Sequence, residues 1–184
     1  MKTYFLLLFL LGSVCMAVEE PKFEILERFG DVEIRQYGPV VIAETEVEGE
    51  FGAAGNEGFR RAASYIFGGN QKNQKINMTA PVLQEEKDGK KRVAFVMPQE
   101  EKFTTLPRPN DSRVNLKEVP ARKMAALKYS GTWSEERYQE KVKELLDLLK
   151  SKNLKSKGEP VLARYNPPWI PWFLRRNEVL IELE

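Results

Sequence analysis

Eight residues near the C-terminal end, 167–174 (PPWIPWFL), place Trp169, Ile170, Trp172, Phe173 and Leu174 among three prolines, and Arg175 and Arg176 follow directly. Such rings can stack on a flat apolar molecule. The prolines limit the entropy lost when the loop orders, and the guanidinium groups offer partners for carboxylates. This is binding chemistry: a wide apolar face with cations at its edge. The same residues could instead fold over one end of the domain as a core plug, or touch a membrane surface, and an exposed apolar patch would favour a ligand wall or a membrane contact over the plug. Catalytic equipment is sparse. The chain has no histidine, which removes the commonest general base and the commonest metal ligand, and with them Ser-His-Asp and Cys-His arrangements and the usual zinc sites. The carboxylate pairs Glu19-Glu20, Glu85-Glu86, Glu100-Glu101 and Glu135-Glu136 lie in polar runs and read as solvated faces. An enzyme would announce itself by a carboxylate such as Glu44 or Glu178 buried in a groove with a raised pKa.

The elements that must position these groups occupy one domain. Residues 1–17 read as a signal peptide: Lys2, the apolar run from Tyr4 to Leu11, and small residues ahead of a cut after Ala17. The run is shorter than the 20 or so apolar residues that span a bilayer. Lipoprotein processing before Cys15 is the rival, which Val14 disfavours. Cleavage would send residues 18–184, a single domain, to a secreted or periplasmic location without its only cysteine. It would remove Lys2 from a chain of net charge +2. The near-neutral remainder argues against nucleic acid, whose binders carry a clustered basic excess. Asn77-Met78-Thr79 and Asn110-Asp111-Ser112 match the glycosylation pattern.

The order of elements occurs twice, over about 22–100 and 112–184. Alternating apolar residues predict strands over 23–48, a helix follows at about 51–67, and strands are expected at about 76–85 and 91–97 around Lys87-Asp88-Gly89-Lys90. The second half offers a strand over 113–130, a helix opened by Ser134 and running to about Lys152, and strands at about 160–166 and 177–184. Shifting Phe59, Ala62, Ala63 and Ile66 along the chain superimposes them on Val142, Leu145, Leu146 and Leu149, each set spaced as one buried helical stripe. Comparable shifts carry Val82 to Tyr165, and Val93, Phe95 and Met97 to Val179, Ile181 and Leu183. The fold class expected is α+β: a distorted antiparallel β-barrel built from two similar βαββ-type halves, each with one flanking helix. Alanines in the first helix stand where leucines stand in the second. Either that helix lies closer to its sheet, or a ligand-sized recess remains.

Tyr65-Ile66-Phe67-Gly68-Gly69-Asn70, Lys75-Ile76-Asn77-Met78-Thr79-Ala80-Pro81-Val82, Phe95-Val96-Met97-Pro98, Ala163-Arg164-Tyr165-Asn166-Pro167-Pro168 and Arg175-Arg176-Asn177-Glu178 come in that order. With Val32-Glu33-Ile34-Arg35-Gln36-Tyr37 ahead of them, they resemble the SOUL/haem-binding protein family over nearly all of residues 18–184. The resemblance implies a non-catalytic protein, related in fold to ligand-sensing domains of bacterial regulators. It would bind haem or another tetrapyrrole in an open apolar groove beside the first helix and the loop before the last strand. The residues it points to are Asn56, Arg60, Ser64 and Phe67 on the helix, and Trp169, Ile170, Trp172 and Arg175 on the loop. Basic positions linked with propionate contact in vertebrate members fall at Asn56, Ser64 and Ile170, none of them basic. No histidine stands at the axial position, and Tyr65 and Met78, which could ligate iron, read as packing residues. The expectation is a monomer that holds b-type haem weakly and exchangeably by stacking and burial. Another apolar small molecule, or peripheral membrane contact through 167–174, is the alternative.

Overall fold

A computed structural model describes residues 18–87 and 89–184; the leader 1–17 and Asp88 of the hairpin lie outside them. Nine antiparallel strands form one sheet: β1 (Phe23–Phe29), β2 (Val32–Tyr37), β3 (Val40–Val47), β4 (Val82–Lys87), β5 (Lys90–Val96), β6 (Val114–Val119), β7 (Arg122–Tyr129), β8 (Ser156–Arg164) and β9 (Asn177–Leu183). Helix α1 (Phe51–Ile66) leads from β3 to β4, and α2 (Glu135–Ser151) leads from β7 to β8. The strand order β1-β2-β7-β9-β8-β4-β5-β3-β6 leaves β1 and β6 as edges. The sheet curls like a distorted barrel that hydrogen bonds do not close.

Pairing follows the same plan on both sides of the β8–β4 junction. In the first half β3 pairs with β5, setting Thr45 opposite Val93; in the second, β7 pairs with β9, setting Leu127 opposite Val179. The outer neighbours are exchanged: β2 lies against β7, and β6 lies against β3. The first half therefore lends its β1–β2 hairpin, and the second half its strand β6, to the other half's sheet, which ties the two together.

Both helices pack on one face. Under α2, Tyr138, Val142, Leu145 and Leu149 meet Leu127, Leu162, Val179 and Ile181, and Phe51 from the start of α1 stacks on Tyr138 at 5.4 Å. Under α1, Ala54, Ala62 and Ile66 meet Val47, Val93 and Phe95. Side chains of opposite parity, among them Met124, Ala126, Val161, Leu180, Ile42, Ala94 and Val96, form apolar clusters on the other face. That division is the period-2 alternation of strands buried on both sides.

Several sequence expectations change. The segment 76–81 is no strand. Ile76 donates its backbone N–H to Ile66, Ala80 donates to Glu19, and the Thr79 hydroxyl bonds Val96, so these groups are used before any ladder can form. The stretch 113–130 divides at Pro120, which has no N–H for a ladder. Strand β8 begins earlier, at Ser156, and stops before Tyr165, and in the sheet Val82 pairs with Arg164. Leu146 is 37% exposed; the buried seam Tyr138, Val142, Leu145 and Leu149 is narrow and leaves it at the margin. The choice posed by the alanines is settled by contact. A Cβ added at Gly58 would stand 2.5 Å from Val93, and one at Gly55 would stand 2.5 Å from Gln84 Oε1. Helix α1 lies directly on its strands, and no recess lies beneath it at these positions.

Candidate functional site

The aromatic loop is built from its ends inward. Asn166 Oδ1 accepts the backbone N–H of Arg176 at 2.6 Å, and Tyr165 donates its N–H to the Arg176 carbonyl. Within the loop, Arg175 donates from Nε to the Ile170 carbonyl at 2.8 Å and from Nη2 to the Pro168 carbonyl at 2.7 Å. A single 3-10 turn, Trp172–Leu174, completes it. Its guanidinium thus braces the backbone from inside, and it also lies 4.2 Å from the centre of the Trp133 ring. Trp133 is fixed in turn by donating Nε1–H to Asn177 Oδ1 at 2.8 Å. The outward result is Trp169 at 79% exposure, Leu174 at 65%, Trp172 at 58% and Phe173 at 57%, with Ile170 half-buried. Those exposures overturn the core-plug reading: the backbone is tied down while the rings face outward. Four large apolar side chains exposed on one short loop form the kind of patch that marks a ligand, membrane or protein contact.

Helix α1 presents its own outward line. Asn56, Arg60, Ser64 and Phe67 are all exposed, Phe67 at 61%, and their spacing puts them along one side of the helix and its C-cap. Arg60 pairs with Glu57. Contacts lead from this helix to the loop: the Cβ direction of Gly55 points to Arg164 Nη1 at 3.5 Å, Arg164 lies 5.3 Å from the Trp133 ring, and Arg175 lies over the same ring. Of the two protein groups considered for iron, Tyr65 is buried and donates its hydroxyl to the Pro107 carbonyl at 3.0 Å, while Met78 is exposed. Among the described residues no three His, Cys, Asp or Glu side chains cluster as a metal site.

A polar knot sits on the sheet face away from the helices. Glu178 of β9 is fully buried. Its Oε1 and Oε2 accept both Nη groups of Arg35 at 3.0 and 2.7 Å, its Oε2 accepts the Tyr165 hydroxyl at 2.8 Å, and its Oε1 accepts Nε and Nη2 of Arg176. Burial pushes this carboxyl upward, but the hydrogen bonds and charge of Arg35, with Tyr165 and Arg176, hold it below the ordinary carboxylate value. A carboxylate so fully occupied has no lone pair to spare as a base and no proton to give as an acid. The sign required of an enzymatic Glu178 is therefore reversed. The Arg-Arg-Asn-Glu stretch splits by role: Arg176 and Glu178 belong to the knot, Arg175 and Asn177 to the support of the loop.

A recess of about 750 Å3 opens between the residues before β1, the β2–β3 turn and the loop after β5. Val40, Met97 and Phe103 supply apolar lining, and Glu19, Glu24, Glu101 and Glu118 outnumber Lys22 and Lys102 around it. Its walls come from parts of the chain too far apart for any local pattern to reveal; Phe103 in a polar stretch is the sole hint. The recess is of a size that suits a small ligand. Its excess of carboxylates opposes an acidic ligand.

A family model described as SOUL heme-binding protein matches residues 18–182. Heme-binding protein 2 of Homo sapiens is 32% identical over 181 residues, which cover 91% of this chain and 87% of that protein. Among solved structures, the C-terminal domain of EcmrR superimposes with a TM-score of 0.65 at 9% identity, covering 83% of this chain and 96% of that one. A hydrolase from Listeria innocua superimposes with a TM-score of 0.56 at 12% identity, covering 84% and 92% respectively. These last two likenesses concern the fold alone.

Proposed function

The chain belongs to the SOUL heme-binding protein family, and from that membership we propose that it binds haem, or a related tetrapyrrole, against loop 167–174 and the outward line of α1. The observation that carries this reading is the pairing of a braced backbone with exposed rings at Trp169, Trp172 and Phe173. A preformed apolar surface loses little entropy when a flat ligand covers it. In this reading the exposed Phe67 ring and the polar side chains of Asn56, Arg60 and Ser64 on α1 supply the remaining contacts. With no histidine in the chain, stacking and burial hold the macrocycle, and exchange is easy. Arg175 acts by shaping the loop. The function is binding without catalysis, a reading supported by the saturated state of Glu178. Residues 1–17 serve as a signal peptide for a secreted or periplasmic monomer.

A second reading has support from the same rings: contact with another apolar small molecule or a membrane surface. Among the described residues no helix is long and apolar enough to cross a membrane, so such contact would be peripheral. Titration of the protein with hemin, followed by the Soret band and tryptophan fluorescence, distinguishes these. The expected result is a shifted Soret band and quenching, with affinity reduced about tenfold in Trp172→Ala, as for the loss of one stacked aromatic contact. A flat hemin titration, with co-sedimentation on vesicles abolished by Trp172→Ala, would replace haem binding by the membrane reading.

A further inference from the structure

Beside the aromatic loop, the ends of β7 and β8 hold two buried polar atoms with no hydrogen-bond partner among the described residues: the hydroxyl of Tyr129 and Nη2 of Arg164. Tyr129 is only 8% exposed. Burial raises its hydroxyl to about 12, so it keeps its proton at neutral pH. Burial lowers Arg164 to about 10, which leaves it a cation under the same conditions. A buried donor without an acceptor is costly, and a buried charge without a counter-charge more so. The arginines of the knot show how this chain otherwise treats buried guanidinium groups: Arg35 and Arg176 converge on Glu178. Among the described residues Arg164 has no such carboxylate, and neither has Arg175 on the same Trp133 ring. The Arg164 donor needs an acceptor that the Tyr129 hydroxyl can also serve, the site is positive, and Arg164 is half-buried against Trp133, the ring on which Arg175 of the loop also lies. A water molecule could accept from both donors, but it would bring no charge.

We propose that Arg164 and Tyr129 receive a carboxylate of an acidic amphipathic ligand whose apolar body lies against loop 167–174. This assignment rests on the preceding reading and adds what the chain otherwise lacks, a fixed anchor in place of an iron ligand. A haem propionate and a free short-chain carboxylate share the chemistry required. The second source tests the anchor without the macrocycle.

Hemin and its dimethyl ester are titrated into the wild-type protein, Arg164→Gln, Arg164→Lys and Tyr129→Phe. The diacid is expected to bind the wild type at least about tenfold more tightly than the diester, the scale of one charge-assisted hydrogen bond. Arg164→Gln removes that preference, so that diacid and diester bind it alike, Arg164→Lys keeps part of it, and Tyr129→Phe reduces it. In parallel, thermal unfolding is followed in sodium propionate against sodium chloride at equal ionic strength. Propionate is expected to raise the transition of the wild type and not that of Arg164→Gln. Equal affinity for diacid and diester, or a preference that survives Arg164→Gln, overturns the anchor while leaving haem binding in place. If neither porphyrin binds but the propionate effect depends on Arg164, the haem reading falls and the carboxylate site stands. No propionate effect and no acid preference in the wild type overturns the site.

Discussion

Helices α1 and α2 occupy matching places in the two halves, yet they are built to different ends. Helix α2 is held by side chains: Tyr138, Val142, Leu145 and Leu149 fill the space to the sheet. Its Ser134 caps the Arg137 N–H, Glu135 and Glu136 lie in the first turn where the dipole favours them, and Lys143 and Asp147 pair on the outside. Helix α1 is held by proximity. Gly55 and Gly58 bring its backbone onto Gln84 and Val93, no side chain caps it at Glu50, and no acid lies in its first turn. Its outward line of Asn56, Ser64 and Phe67 is uncharged except for Arg60. A solvated helix is normally laced with charges, as α2 is. The contrast teaches that helices in matching places can serve different ends: α2 is anchored by its side chains, and α1 is thin, close-packed and available at its surface.

The largest expected effect lies where the halves are joined. Arg35 comes from β2 and Glu178 from β9, so Glu178→Ala strands a buried guanidinium and should cost about 3–5 kcal/mol in denaturant unfolding. Because the folded pKa of Glu178 is depressed below its ordinary 4.5, its contribution is present above that value and fades as the pH falls through the lower, folded value. Glu178→Gln should flatten this acid limb; an unchanged limb would mean that other carboxylates set it.

Next comes the difference in packing style. Leu145→Ala should cost about 2–5 kcal/mol by opening a cavity under α2. In α1 the harmful change is the opposite one. Gly58→Ala should cost about 1–3 kcal/mol, because the new Cβ would meet Val93 at 2.5 Å and overpacking outweighs better helix propensity. Stabilisation by Gly58→Ala would break the comparison. The smallest effect concerns the caps: Ser134→Ala should lower stability by about 1 kcal/mol, and Glu50→Ser should raise it by roughly 0.5–1 kcal/mol by supplying the cap that α1 lacks. Equal insensitivity at both positions would show that the termini do not distinguish the helices.

The repeated order of elements was legible because it rests on short-range signals: helical spacing at Tyr138–Leu149, alternation along β3 and β9, and Ser134 ahead of acidic residues. What was hidden depends on partners distant in sequence. Nothing local says that β2 pairs with β7, that Pro120 separates two strands with different neighbours, or that the Thr79 hydroxyl bonds Val96 instead of extending β4. At the candidate site, the apolar character of 167–174 was plain, while its exposure was not, since a plug and a ligand wall have the same composition. Arg175 read as a ligand cation turns inward to carbonyl groups of its own loop. Arg164 stands within the family-like run Ala163–Pro168, and only the fold reveals that its Nη2 is buried without a partner among the described residues.

The most direct test is paramagnetic broadening of backbone amide signals by hemin added to the isotopically labelled protein. The account predicts loss of signal at 56–67 and 169–174, with α2 and the acidic recess at Val40 and Phe103 unaffected. Broadening centred on that recess, with Trp169 and Trp172 untouched, would contradict it.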